Sequence, residues 1–192
     1  MQSLNMGWLI FIGLAALATL YVIFAYNGLA RGRNQAVEAW SDVDTQLKRR
    51  YDLIPNLVET VRGYAKHESS TLERVVTARN AAMGQNGGPE HHAAAETILT
   101  RSLRSVFALS EAYPDLKANQ NFVELQRELT DTEDKIQASR RFYNSVALPF
   151  NNRVETFPSV LIANLFGFRK FSFFELDESE KAEASRPVRV QF

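Results

Sequence analysis

From Met6 to Ala25 the chain reads MGWLIFIGLAALATLYVIFA, in which Thr19 is the only polar residue apart from the hydroxyl of Tyr21. At about 1.5 Å per residue a helix of this run spans about 30 Å, the hydrocarbon thickness of a bilayer. Trp8 stands near one end, and Tyr21 and Tyr26 near the other, where amphipathic rings favour the interface. The pattern predicts a transmembrane helix whose partner is the lipid bilayer along residues 6–25. A cleaved signal peptide would carry a basic leading region and a shorter apolar core, whereas residues 1–5 contain no Lys or Arg.

Beyond the leader the apolar positions take up helical steps of three and four. Ala36, Trp40, Val43, Leu47, Ile54, Leu57, Val61, Tyr64 and Val75 fall on one seam, interrupted by Arg50, Glu68 and Thr71. This periodicity predicts a long helix packed on a partner helix, kinked and not stopped at Pro55. Gly84-Gln85-Asn86-Gly87-Gly88-Pro89 predicts the tip of a helical hairpin. A second amphipathic stretch carries Ile98, Leu99, Leu103, Val106, Phe107, Leu109 and Tyr113 on one broad face until Pro114 ends it, and residues 115–121 read as a short connection. In the third stretch Phe122, Leu129, Ile136, Tyr143, Phe150 and Phe157 recur every seven residues, which favours coiled-coil-like packing on an antiparallel neighbour. Pro149 should kink that helix, and Pro158 restart it for the apolar turn 160–166. The expected fold class is all-α: an N-terminal transmembrane helix followed by an elongated antiparallel helical bundle of about three long helices.

Past the third stretch come Phe166, Phe168, Phe171, Phe173 and Phe174, with Arg169 and Lys170 among them. Two readings stand: the segment folds back onto an open stripe of the bundle, or it touches the membrane interface, which basic residues beside aromatics would suit. Residues 175–187 carry five acids against two bases and predict a flexible tail. The final residues 188–192 alternate like a short strand or hang free. The expected organisation is an anchor over 1–30, a helical domain over 31–174 and an acidic tail over 175–192.

Charge sharpens this picture. The 22 Lys+Arg balance the 22 Asp+Glu, yet none of these charges falls within residues 1–30. Zero net charge argues against non-specific nucleic-acid binding, which needs a basic footprint. Positive charge follows the leader at Arg31 and Arg33, with only the α-amino group before it. The positive-inside tendency therefore predicts a single-pass membrane protein with the body cytoplasmic and the N-terminus outside.

The sequence offers little chemistry. With no cysteine, thiolate metal sites, disulfides and Cys nucleophiles are excluded. His67-Glu68 lacks the second His four residues on that a zinc helix requires, and His91 and His92 are adjacent and point to different helical faces. The Gly84–Gly88 run is not followed by Gly-Lys-Ser/Thr, so it is no phosphate loop. We expect no catalytic, cofactor-binding or metal-ligating residues, and no enzyme. One constellation stands out, WSDVDTQLKRRYDLIP over 40–55. There Asp44 with Lys48 and Gln46 with Arg50 have the spacing of local helix pairs, and the third helix offers Gln126, Glu128, Glu133, Arg140 and Arg141 as complements. It reads as inter-helix ion pairing that sets register, or as an interaction surface.

The run Ala39-Trp40-Ser41-Asp42-Val43-Asp44, with Gln46–Arg50, Asp52–Val58, Gly63-Tyr64 and His67-Glu68, resembles the LemA family of bacterial membrane-anchored helical proteins. Glu111-Ala112-Tyr113-Pro114, Leu116–Asn119, Asn121-Phe122, Tyr143-Asn144, Asn151, Phe157-Pro158 and Gly167-Phe168 extend the likeness over about residues 26–174. Phe150 departs from the tyrosine common before Asn151. The resemblance implies a membrane anchor and a long antiparallel helical domain, and supplies no catalytic residues. One branch is similar to proteins that form magnetosome membranes. The expected role is a non-enzymatic, membrane-anchored scaffold that self-associates as a homo-oligomer and organises an envelope membrane or membrane proteins. The alternative is an adaptor presenting a helical surface to a membrane enzyme or protease.

Overall fold

A computed structural model describes residues 2–85 and 87–174. Among them the chain is all-α, with α1 (Gln2–Tyr64), α2 (Ser69–Met83), α3 (Pro89–Ser110), α4 (Pro114–Lys117), α5 (Gln120–Glu155) and α6 (Ser159–Phe166), and no strand. The expected acidic tail and the strand-like 188–192 lie outside the described residues. The span-length apolar run forms the first part of α1, and every side chain from Met6 to Tyr21 is exposed. None of the described residues covers this segment.

The described residues divide into two compact units, one of residues 2–39 and 143–171, the other of residues 40–142 and 172–174. In the second unit the α1 seam is buried at Val43, Leu47, Ile54, Leu57 and Val61. Pro55 lies inside α1 and does not end it. A proline has no N–H for the carbonyl four residues earlier, here that of Tyr51. The structure supplies a substitute, since Arg79 Nε of α2 donates to the Tyr51 carbonyl at 2.7 Å.

The expected continuation of one helix to Val75 is corrected. α1 stops at Tyr64, the chain turns through Ala65–Glu68 on the bond from Glu68 N–H to the Ala65 carbonyl (3.1 Å), and α2 starts at Ser69. The turn folds α2 back on α1, so Leu72, Val75, Ala78 and Ala82 are buried without extending it. α2 then ends at Met83 and α3 starts at Pro89, on either side of the predicted glycine-rich tip, with Pro89 in the first turn of α3, where no N–H is needed. Two further expectations fail. Pro114 does not end α3, which stops at Ser110; it opens the single turn α4. Ile98 leaves the buried face of α3 and is 56% exposed, because the face follows Ala95, Leu99, Leu103 and Val106.

α5 carries the seven-residue repeat. Phe122, Leu129, Ile136, Tyr143 and Phe150 are all buried, whereas Phe157 falls beyond the helix end at Glu155 and is 79% exposed. Asn119 caps α5, its Oδ1 accepting from Phe122 N–H at 3.0 Å while its Nδ2 donates to Tyr64 Oη at 2.9 Å. In the second unit α1 and α5 are therefore antiparallel, Tyr64 meeting Asn119 and Arg50 meeting Glu133.

The first unit is also antiparallel. Arg153 Nη1 donates to the Gly28 carbonyl at 3.3 Å, and a Cβ on Gly32 would come within 3.1 Å of the Phe150 ring, so the missing side chain lets α5 approach closely. Leu29, Phe150, Val154, Ile162 and Ala163 form its core, with Val22, Ala25, Phe168 and Phe171 against it. α6 begins at Ser159, after Pro158, and ends on Gly167 at φ 71°, a left-handed conformation suited to glycine. Phe168 N–H reaches back to the Ala163 carbonyl at 2.9 Å, and Gly167 N–H to that of Asn164 at 3.4 Å. This C-terminal motif reverses the chain and sends the aromatic segment back over the core. Asn151 clamps it there, donating from Nδ2 to the Phe171 carbonyl (2.8 Å) and accepting the Phe171 N–H on Oδ1 (2.9 Å).

Replacing Arg79 by Met leaves the Tyr51 carbonyl without its donor and should lower unfolding free energy by about 1–3 kcal/mol. In a Pro55→Ala background the restored N–H serves that carbonyl, so the same replacement should have a smaller effect. Denaturant unfolding of the four-protein cycle measures the difference.

Candidate functional site

The residue that interrupts the α1 seam organises the second unit. Arg50 occupies an inward position, and its side chain is only 2% exposed. A guanidinium cannot be neutralised in a protein, so its burial demands acceptors. It finds them on two other helices. Nη2 donates to Glu96 Oε2 of α3, and Nη1 donates to Glu133 Oε2 of α5 and to Thr100 Oγ1 of α3, the last at 3.2 Å. Tyr51 Oη donates to the other Glu96 oxygen, and Gln137 Nε2 donates to Glu133 Oε1 at 3.0 Å. Burial, and then the Glu96 carboxylate beside it, push the Tyr51 hydroxyl above its ordinary value, so it stays protonated as the donor.

Aromatic rings cover one side of this cluster. Trp40 lies edge to face with His92, centroids 5.5 Å apart, and stacks on Phe174 at 5.6 Å. The Arg140 guanidinium sits 4.4 Å over the Phe174 ring. Between Arg50, Glu96, Glu133, Arg140 and Phe174 remains a void of about 10 Å³, room for about one water. Gln46 Oε1, Arg50 Nε and His92 Nδ1 are the buried side-chain polar atoms without a protein partner among the described residues.

The chemistry of this arrangement is restrained. Two carboxylates and one guanidinium are bound to each other, the phenol is held protonated, and the void admits no substrate. The cluster joins three helices at one point and sets their register. The expectation of inter-helix pairing between 40–55 and the third helix is met by Arg50 with Glu133. The local pairs are not: Arg50 turns away from Gln46, and no Asp44–Lys48 pair forms among the described residues. Asp42, Asp44, Lys48 and Arg49 face solvent. Of the histidines, His67 and His91 are exposed and His92 is buried, so the adjacent pair do point apart. Among the described residues no group of three His, Asp or Glu is gathered to hold a metal ion.

Sequence reasoning missed Glu96. Its signal was its place on the buried stripe of α3 with Leu99, Leu103 and Val106, where a lone acid needs a cation.

Fold and site together define a membrane-associated helical protein, with a span-length apolar helix and a bundle keyed by a buried ionic cluster. The LemA family matches residues 39–192, and the chain belongs to that family. It is similar to Protein LemA of Metamycoplasma hominis, 25% identical over 157 residues, covering 82% of this chain and 72% of that one. It is also similar to Magnetosome protein MamQ of Magnetospirillum gryphiswaldense, at 21% identity with 87% and 69% coverage. Magnetosome protein MamQ 2 of Paramagnetospirillum magneticum matches at 22%, with 91% and 71% coverage.

Removing Arg50 strands two carboxylates, and Arg50→Met should cost about 3–5 kcal/mol in denaturant unfolding. Adding Glu96→Gln and Glu133→Gln to it should recover part of that loss.

The Tyr51 phenol binds its proton more tightly in the folded state than in the unfolded one. Its contribution is therefore complete below the unfolded value near 10 and declines as pH rises above it. Unfolding free energy should fall more steeply from about pH 10 upward in the natural protein than in Tyr51→Phe, as read from denaturant midpoints at successive pH values.

Proposed function

We propose that this protein is a non-enzymatic, membrane-anchored scaffold that self-associates and organises an envelope membrane or the proteins in it. The observation that carries this reading is the continuity of α1, which runs without a break from an exposed, span-length apolar segment to the buried Arg50 cluster. One helix thus links anchor and body. The charges of the cluster are bound to one another and the void among them is only about 10 Å³, which favours a structural role over a reaction. Relatives named as magnetosome proteins support a role in organising membrane.

Self-association draws support from exposed apolar side chains on the body helices. Val37 of α1, Ile98 of α3, and Val123, Phe142 and Leu148 of α5 each stand more than half exposed. Lateral contacts with further copies would cover such groups. The polar 42–50 face of α1, with Asp42, Asp44, Lys48 and Arg49 outward, is the surface an adaptor would offer. Orientation follows from the cations after the span, Arg31 and Arg33, with the body in the cytoplasm and the span in the inner membrane.

The full-length chain in mild detergent should sediment as a defined oligomer and change the shape of liposomes into which it is reconstituted. A monomer that leaves liposomes unchanged would overturn the scaffold. Capture of one dominant heterologous protein by crosslinkers placed on the 42–50 face would replace it by the adaptor.

A further inference from the structure

The unit of residues 2–39 and 143–171 has two surface features that a scaffold does not by itself require. α6 buries Ile162 and Ala163 and turns Leu161 and Leu165, one helical turn apart, outward at 59% and 74% exposure, and Phe157 in the turn just before α6 adds to this apolar ridge at 79% exposure. Where α6 ends, a cavity of about 390 Å³ is lined by Tyr26, Phe166, Phe168, Arg33, Arg169 and Lys170. Lys170 is held by Glu155 at 2.5 Å, while Arg33 and Arg169 have no acid partner among the described residues. The charged residues of this unit are Arg31, Arg33, Arg153, Arg169 and Lys170 against Glu38 and Glu155, so it is strongly cationic within a neutral chain.

The two features follow one another along α1. Ile162, Ala163 and Phe168 pack with Val22, Ala25 and Leu29, beside the last turns of the apolar run, where Ile23 and Phe24 are exposed. The α6 ridge thus extends the apolar surface of the span. Arg33 follows on α1 about 12 Å beyond Ala25 at the helical rise. Apolar ridge, then aromatic rings, then unpaired cations is the order that a lipid presents from acyl chain to headgroup. Tyr26 stands at the transition, its ring 4.8 Å from Phe166 and 5.8 Å from Phe168.

We propose that α6 is an interfacial element seated in one leaflet beside the span, and that the cavity at its end binds the headgroup of an anionic phospholipid. Arg33 and Arg169 hold the phosphate, and the ridge of Phe157, Leu161 and Leu165 lies along the acyl chains. This rests on residues 6–25 being the span. Continuity of apolar surface and complementarity of charge both select lipid as the occupant.

The chain has no cysteine, so single-cysteine variants of the full-length protein can carry an environment-sensitive fluorophore. Leu14→Cys and Leu165→Cys are reconstituted in phosphatidylcholine vesicles containing phosphatidylglycerol and lipids with nitroxides at set acyl depths. Position 14 should be quenched by deep nitroxides and position 165 by shallow ones. Quenching at 14 without 165 overturns the α6 proposal and leaves the span intact, as when a second copy covers the ridge. No quenching at 14 overturns the span itself, and the proposal with it.

The second arm measures phosphatidylglycerol retained over phosphatidylcholine after detergent extraction. Enrichment of about fivefold per unpaired cation is expected. It should vanish in Arg33→Gln/Arg169→Gln and persist in the presence of inorganic phosphate. Equal retention, enrichment that survives the double substitution, or displacement by inorganic phosphate overturns the headgroup site.

Discussion

A buried guanidinium that cannot give up its charge is the constraint on which the helical body depends. Taking such an ion out of water is expensive, and only well-placed carboxylates with further hydrogen bonds compensate. Arg50 therefore dictates where Glu96 and Glu133 must be, and with them the rotation and height of α3 and α5 against α1. Leucines at the same positions would tolerate sliding by a turn, whereas a bifurcated set of charged hydrogen bonds has one solution. Tyr51 and Gln137 occupy the second oxygens of the two carboxylates, which leaves the acids little freedom to pair elsewhere.

Around this key the backbone has its own polar accounts to settle. Pro55 sits one turn past Arg50 and deprives the Tyr51 carbonyl of its helical donor, and Arg79 from α2 satisfies it. The same short stretch of α1 thus sends a cation to α3 and α5 and receives one from α2. Asn119 does comparable work at the far end, capping α5 and bonding to Tyr64. Each of these polar contacts is directional, so together they specify one arrangement among the many that apolar helix faces would allow.

Local periodicity made much of this legible. The apolar run of 6–25, the hairpin tip at 84–88 and five of the six heptad positions from Phe122 to Phe150 depend on side chains only a few residues apart, which a pattern can capture. The sixth, Phe157, failed because α5 stops two residues before it. The break at 65–68 was hidden because apolar residues resume at a helical interval on α2, although the chain has turned back. The site was the hardest to read. Arg50 lies 46 residues from Glu96 and 83 from Glu133, and nothing in a local window ties them. The clue was present as a misfit, a charge on a seam of apolar residues, with a lone acid on the buried stripe of α3. Which charge meets which is decided by packing.

Net neutrality conceals a division of labour. The unit around the Arg50 key holds most of the acids, and there acids and bases are consumed in setting helix register or face water in mixed array. The unit that contains the apolar run holds five bases and two acids among its described residues. There Gly32 admits Phe150, Gly167 reverses the chain, and Asn151 pins the returning aromatic segment through both the N–H and the carbonyl of Phe171. Such investment in holding a short apolar helix next to the span has no counterpart in what a simple tether needs. A tether requires length and hydrophobicity, both of which residues 6–25 already possess. An apolar helix held in one fixed orientation, with cations at its end and Leu161 and Leu165 outward, requires the clamp, the glycine turn and the close approach that the structure contains.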